Sequence, residues 1–171
     1  MKLYLPAKYL HFILLAALLA PVVSFPYANA TAPASEQELL SGDRMDEAIQ
    51  YLKARTQSAP NDAEAFALLA RAYYELERWD NSIAAAQKAV ALNPQSSEYH
   101  LWLGRAYGNK AEHSSWFTAI GLAKKTRIEF EKAVELDTTS VDARSDLAEY
   151  YMEAPGFLGG GKDKARAQAT Q

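Results

Sequence analysis

The sequence predicts an all-α fold, a solenoid of antiparallel helix pairs about three and a half repeats long. Three observations predict it. Residues 63–96 carry two amphipathic helical patterns in succession, parted by a short polar break at 77–80. A shift of 34 residues carries Leu69 onto Leu103, Ala70 onto Gly104 and Tyr73 onto Tyr107. Pro60 and Pro94 close successive segments, because proline disfavours the helical conformation in the residue before it.

The clearest unit is 63–96. Phe66, Leu69, Ala70 and Tyr73 fall at i, i+3, i+4 and i+7 of its first helix, one apolar stripe. Ile83, Ala86 and Val90, with Ala89 beside them, make the stripe of the second. Neither helix can bury its stripe alone. A period of 34 residues, as helix–turn–helix, stacks copies so that each covers the next. On residue detail the unit resembles a tetratricopeptide repeat. That family favours an aromatic, Leu, Gly or Ala, and Tyr along its first helix, where Phe66, Leu69, Ala70 and Tyr73 stand. Along its second it favours Ala, an aromatic, Ala and Pro. Ser82, Ala86, Ala89 and Pro94 stand there, two matches and two small substitutes.

Length and composition set the bounds. The 171 residues suffice for one domain with a real core, and 49% hydrophobic with 23% charged residues is ordinary for a globular protein. The absence of cysteine excludes disulfides, thiolate metal sites and lipid attachment through cysteine. The net charge is −3, and Lys2 and Lys8 are the only charges before residue 31. An acidic body without a basic run argues against nucleic acid as a partner.

Residues 1–30 resemble a secretory signal peptide. Lys2 and Lys8 form the positive start, residues 12–20 the apolar run, and Ala28 and Ala30 the small residues before a cut. The expected location is therefore outside the cytoplasm, periplasmic or extracellular. An uncleaved membrane anchor is the alternative. Residues 31–34 read as a linker.

The repeats follow, at about 35–60, 63–96, 97–140 and 141–171. The first has a shortened first helix, opened by Ser35 and Glu38 at capping-box spacing, and then an apolar face of Ala48, Ile49 and Leu52. Asn61 before Glu64, Gln95 before Glu98 and Thr139 before Asp142 are the expected helix caps, each good one contributing about 1 kcal/mol. Each buried Leu, Ile or Phe contributes about 1.5–3 kcal/mol, so packing dominates. The third repeat holds about ten extra residues in 109–118, which predicts lengthening of both its helices, with 120–136 as one long second helix. The fourth has a turn about five residues longer than usual. Its second helix stops short of late apolar positions at Gln171, so a continuation, a partner or a second copy is expected to cover that end.

Several motifs invite chemistry. Residues 156–162, GFLGGGK, have the spacing of a phosphate loop, but Asp163 stands where a hydroxyl is needed and a helix precedes it instead of a strand. The favoured reading is a wide, flexible turn, with Phe157 and Leu158 at its tip as candidate partner contacts. His100 and His113 have no second ligand at metal spacing. His113 beside Ser114 and Ser115 lacks a nucleophile elbow. No catalytic residue, cofactor, metal or small-molecule substrate is expected, and the chain is read as non-enzymatic.

What remains is binding. In the family the first helices line the concave surface, and the resemblance places Arg71, Tyr74, Leu101, Arg105, Glu149 and Met152 there. The Lys and Asn with which some members clamp a terminal carboxylate are absent. Arg71 and Arg105 hold one place in successive repeats and are suited to fork an acidic group, unless Glu75, Glu98 or Glu149 pairs with them. Trp116 and Phe117 read either as a staple packed on Trp102 or Tyr107, or as exposed aromatic anchors for a partner. The expected function is an exported scaffold or adaptor that binds a protein or peptide along the concave face. The alternative is a structural element joining copies through the C-terminal repeat.

Overall fold

The computed structural model describes residues 44–169, so the expected signal peptide, linker and opening capping box lie outside the described residues. The described helices all lie within the unit Pro33–Gln171. In order they are α1 (Met45–Ser58), α2 (Ala63–Glu75), α3 (Trp79–Leu92), α4 (Ser97–Glu112), α5 (Trp116–Leu136), α6 (Val141–Glu153) and α7 (Lys162–Ala169), with a 3₁₀ turn at Gly156–Leu158. No strand occurs among the described residues. Each helix packs on the next, and α2, α4 and α6 also touch one another in sequence. The result is a stack of helix pairs in which first helices share one side.

The predicted stripes build the interior. Ile49, Leu52, Leu69, Tyr73, Leu103 and Tyr107 form one buried cluster, and Leu101, Phe130, Ala133, Leu147 and Tyr151 a second. Ile83 and Val90 are half-buried against the first. Alanines let the helix axes approach: Ala65, Ala72, Ala89, Ala106, Ala133 and Ala143 are all fully buried. Ser82 is buried too, and its hydroxyl donates to the Ala70 carbonyl at 2.8 Å, so its one polar group is satisfied.

The helix starts lie one residue later than expected. The caps are Asp62, Ser96 and Ser140, whose side chains accept from the backbone N–H of Ala65, Tyr99 and Ala143. Asn61, Gln95 and Thr139 stand outside. Glu64, Glu98 and Asp142 therefore occupy the second helical position, where they act on the helix dipole and do not reach back as a capping box. Proline, or Thr138 in its place, takes up one more residue of the connection than the pattern allowed.

The ten extra residues of the third repeat do lengthen both helices. Helix α4 has 16 residues against 13 in α2, and α5 has 21 against 14 in α3. Helix α5 starts at Trp116, four residues before the expected position. That start puts Trp116 and Phe117 on its first turn, 65% and 87% exposed. The staple reading fails: a three-residue turn at 113–115 carries both rings away from the core.

The glycine-rich connection is wide but pinned. Leu158 is buried, and Tyr150 donates its hydroxyl to the Leu158 carbonyl at 3.0 Å. Gly159 takes a φ of 92° against the Arg127 side chain, and a Cβ at Gly160 would overlap the Ala154 carbonyl. Gly161 N–H donates to the Tyr151 carbonyl at 2.8 Å. Phe157 alone of the two tip residues is exposed. The N–H groups of Leu158, Gly159 and Gly160 are turned to the Pro155 and Gly156 carbonyls and that of Gly161 to Tyr151 in α6, so these four are spent within the protein.

Candidate partner-binding groove

The face shared by α2, α4 and α6 is built around Trp102. Residue 102 lies 34 positions beyond Leu68, and its indole replaces that leucine at the repeat-to-repeat seam. The guanidinium carbon of Arg71 lies 5.4 Å from the indole centroid and that of Arg105 4.8 Å. Two cations thus flank one ring, an arrangement stabilised by the ring quadrupole. Tyr74 meets the indole edge-on at 5.5 Å and meets Trp79 similarly at 5.2 Å. Trp79 in turn stacks on His113. The line of rings runs from the middle of the face to the α4–α5 turn.

Polar contacts hold these rings in place. Asn109 donates through Nδ2 to the Tyr74 hydroxyl at 2.7 Å. Burial raises the Tyr74 phenol above its ordinary value, although the Arg105 charge opposes this, so the hydroxyl stays protonated. Arg105 donates from Nε to Asp146 at 2.5 Å and lies 4.0 Å from Asp142, tying α4 to α6. Burial works against its charge, but the Asp146 hydrogen bond and charge outweigh it and hold the guanidinium above its ordinary value. Arg71 differs. Its Nε is buried with no hydrogen-bond partner, and no carboxylate among the described residues pairs with it.

Two open clefts meet at Arg105, one of them against the indole. One, of about 390 Å³, is lined by Arg71, Glu98, Leu101, Trp102, Arg105 and Asp142. The other, of about 350 Å³, is lined by Tyr74, Arg105, Glu112, Asp146, Glu149 and Glu153, with Phe130 and Tyr150 beneath. Arg71, Tyr74, Arg105 and Glu149 therefore share the face. Leu101 is only 5% exposed and forms the floor as part of the core. Met152 does not join them. It lies with Ala148, Ala165 and Ala169 in an apolar depression between α6 and α7. Trp116 and Phe117 line neither cleft.

The expected partners of the arginines were Glu75, Glu98 and Glu149. Arg105 instead takes Asp146 and Asp142 from the next first helix. These acids lie 37 and 41 positions on, nearer the start of α6 than Glu149 on the same helix. Trp102 was also missed, although the sequence carries its signal: it precedes Arg105 by three residues, and Arg71 is the same arginine one repeat earlier.

A tetratricopeptide-repeat family profile matches residues 39–106. Residues 39–106 carry tetratricopeptide repeats. Solved structures agree on the fold. MamA aligns at a TM-score of 0.62 with 22% identity, over 78% of this chain and 69% of that one. A tetratricopeptide-repeat protein of Thermus thermophilus, TTC0263, aligns at 0.62 with 20% identity, over 78% and 71%. The first tetratricopeptide-repeat domain of Spaghetti (RPAP3), solved with an HSP90 peptide, aligns at 0.58 with 18% identity, over 67% and 83%. No curated protein shows a significant match. In tetratricopeptide-repeat terms, α2–α3 and α4–α5 are complete pairs, α1 is a second helix, and α6–α7 is the pair with the pinned connection.

Proposed function

We propose that this protein is an interaction module that docks a segment of another protein across the face of α2, α4 and α6. The carrying observation is the pair of clefts that meet at Arg105, where the rings of Trp102 in one and of Tyr74 and Tyr150 in the other offer rigid contact area between charged groups. Aromatic and arginine side chains on rigid elements dominate binding energy at protein interfaces. The peptide-bound Spaghetti domain supports use of this fold to hold a peptide. The first thirty residues support export, with the mature chain beginning at Thr31.

The test is a pull-down from envelope extract with the protein and two variants. Arg71→Glu reverses a charge that no carboxylate among the described residues neutralises, and Trp102→Ser removes the central ring. Arg105 is unsuitable, because a glutamate there would face Asp142 and Asp146 and loosen α4 from α6. Prey lost with both variants while far-UV dichroism is unchanged supports the face. Prey retained by both removes it. N-terminal sequencing of the protein from the envelope tests export, and a chain beginning at Met1 sinks cleavage.

A second reading has its own observation. The depression around Met152 exposes mostly apolar surface, with Lys162 and Arg166 on its lining, and is open, as suits a second copy stacked on α6 and α7. Light scattering at rising concentration tests it, and a monomer throughout removes it.

A further inference from the structure

The docking face is acidic, and we infer that it takes a basic segment, one whose lysine or arginine side chains enter the cleft between α4 and α6. This inference rests on the docking reading above and gives its partner a charge.

The clefts bring seven carboxylates together: Glu98, Asp137 and Asp142 beside the indole, and Glu112, Asp146, Glu149 and Glu153 beyond it. Against them stand two cations, Arg71 and Arg105. Arg105 is already committed to Asp146 and Asp142. An acidic segment reaching for it would have to displace a 2.5 Å charge-assisted bond within a field of like sign. The fork of two arginines expected for an acidic group is thus half spent.

The carboxylates of Glu112, Glu149 and Glu153 have no hydrogen-bond or ion-pair partner among the described residues. Glu149 and Glu153 sit one turn apart on the exposed side of α6, with Glu112 opposite them at the end of α4. Tyr74 and Tyr150 lie within the same cleft. Aromatic faces and carboxylates around one opening suit an ammonium or guanidinium head, with its apolar stem against the rings. A cleft lined by one sign of charge also raises the local concentration of the opposite charge. Long-range attraction will fade with salt, since exposed charges are screened beyond about 8–10 Å at physiological strength.

Two fluorescein-labelled probes test the inference by anisotropy: a Leu/Ala/Lys peptide, and its counterpart with glutamate at every lysine. The proteins are the full chain, Glu149→Gln/Glu153→Gln, Trp102→Ser, and a control, Glu47→Gln/Asp163→Asn, that removes two acids away from the face. The expected result is binding of the lysine probe alone, about tenfold weaker in the Glu149/Glu153 variant, unchanged in the control and reduced by salt. Preference for the glutamate probe, lost on Trp102→Ser, overturns the sign of the partner while the docking face stands. Binding that ignores the groove variants, or no binding by either probe, brings down the docking face and this inference with it.

Discussion

Gly104 in α4 lies flat against the ring of Phe130 in α5: a Cβ at 104 would stand 2.5 Å from Cδ1 and 2.6 Å from Cε1. Gly104→Ala forces the buried Phe130 ring aside and should cost about 1–3 kcal/mol, the range for overpacking a filled core. Gly108, one turn on, is a matched control. Its Cβ would meet Thr126 at an ordinary 3.5 Å, so Gly108→Ala should be neutral, or stabilising by about 0.5–1 kcal/mol through helix propensity. Urea unfolding of both variants reads the difference.

Glu77 closes the α2–α3 turn with a φ of 54°. The left-handed region costs a residue with a Cβ roughly 1–2 kcal/mol, and glycine escapes that cost while losing more freedom on folding. Glu77→Gly should therefore stabilise by about 0.5–1 kcal/mol. A lower urea midpoint for the variant would show that the turn is held by something other than backbone conformation.

Trp116 and Phe117 contribute surface and no core. Their replacement together by serine should change stability by no more than about 0.5 kcal/mol, as at exposed sites generally. Trp102→Ser, which empties a seam touched by Tyr74, Arg71 and Arg105, should cost well over 1 kcal/mol. Equal losses in the two variants would restore the staple reading that the exposed rings now exclude.

Acid and alkali should act through different ends of the stack. The Ala65 N–H, with the Arg55 guanidinium, holds the Asp62 carboxyl below its ordinary 3.8. The folded state therefore binds this proton less readily than the unfolded chain. Its contribution is full above that value and is lost as pH falls through the lowered one. Asp62→Asn should flatten that acid limb. Burial, and a hydrogen bond donated to Glu131, push Tyr151 up to about 12. Its contribution is present below pH 10 and lost as pH rises from 10 toward 12. Tyr151→Phe should shift the alkaline unfolding midpoint, followed by dichroism.

The repeating parts of the chain were legible because periodicity records burial. Leu69, Tyr73, Leu103, Tyr107 and Leu147 all fell inside as their spacing required, and even the added turns of α4 and α5 followed from counting residues between matched alanines. The caps slipped by one because Asn61 and Asp62 are both good capping residues, and spacing to the next acid chose the wrong one. The site was harder. Residue type and position placed Arg71 and Arg105 on one face, but not the acids that neutralise one and spare the other. Those come from α6, more than a repeat away, and become neighbours only once the helices stack. Met152 misled for a related reason: the long pinned connection brings α7 against that side of α6, and Met152 lies with α7 instead of the groove.

Helix α5, at 21 residues, rises about 31 Å along its axis, whereas the 14-residue α3 rises about 21 Å. Stacks of near-identical units usually leave the lengthwise alignment of a bound surface degenerate, since sliding by one unit restores almost the same relief. Here a step of roughly 10 Å interrupts the series at a single place. Any body seated along the α3–α5 side of this stack has one alignment that clears the step, so that side is keyed and its units are no longer interchangeable addresses.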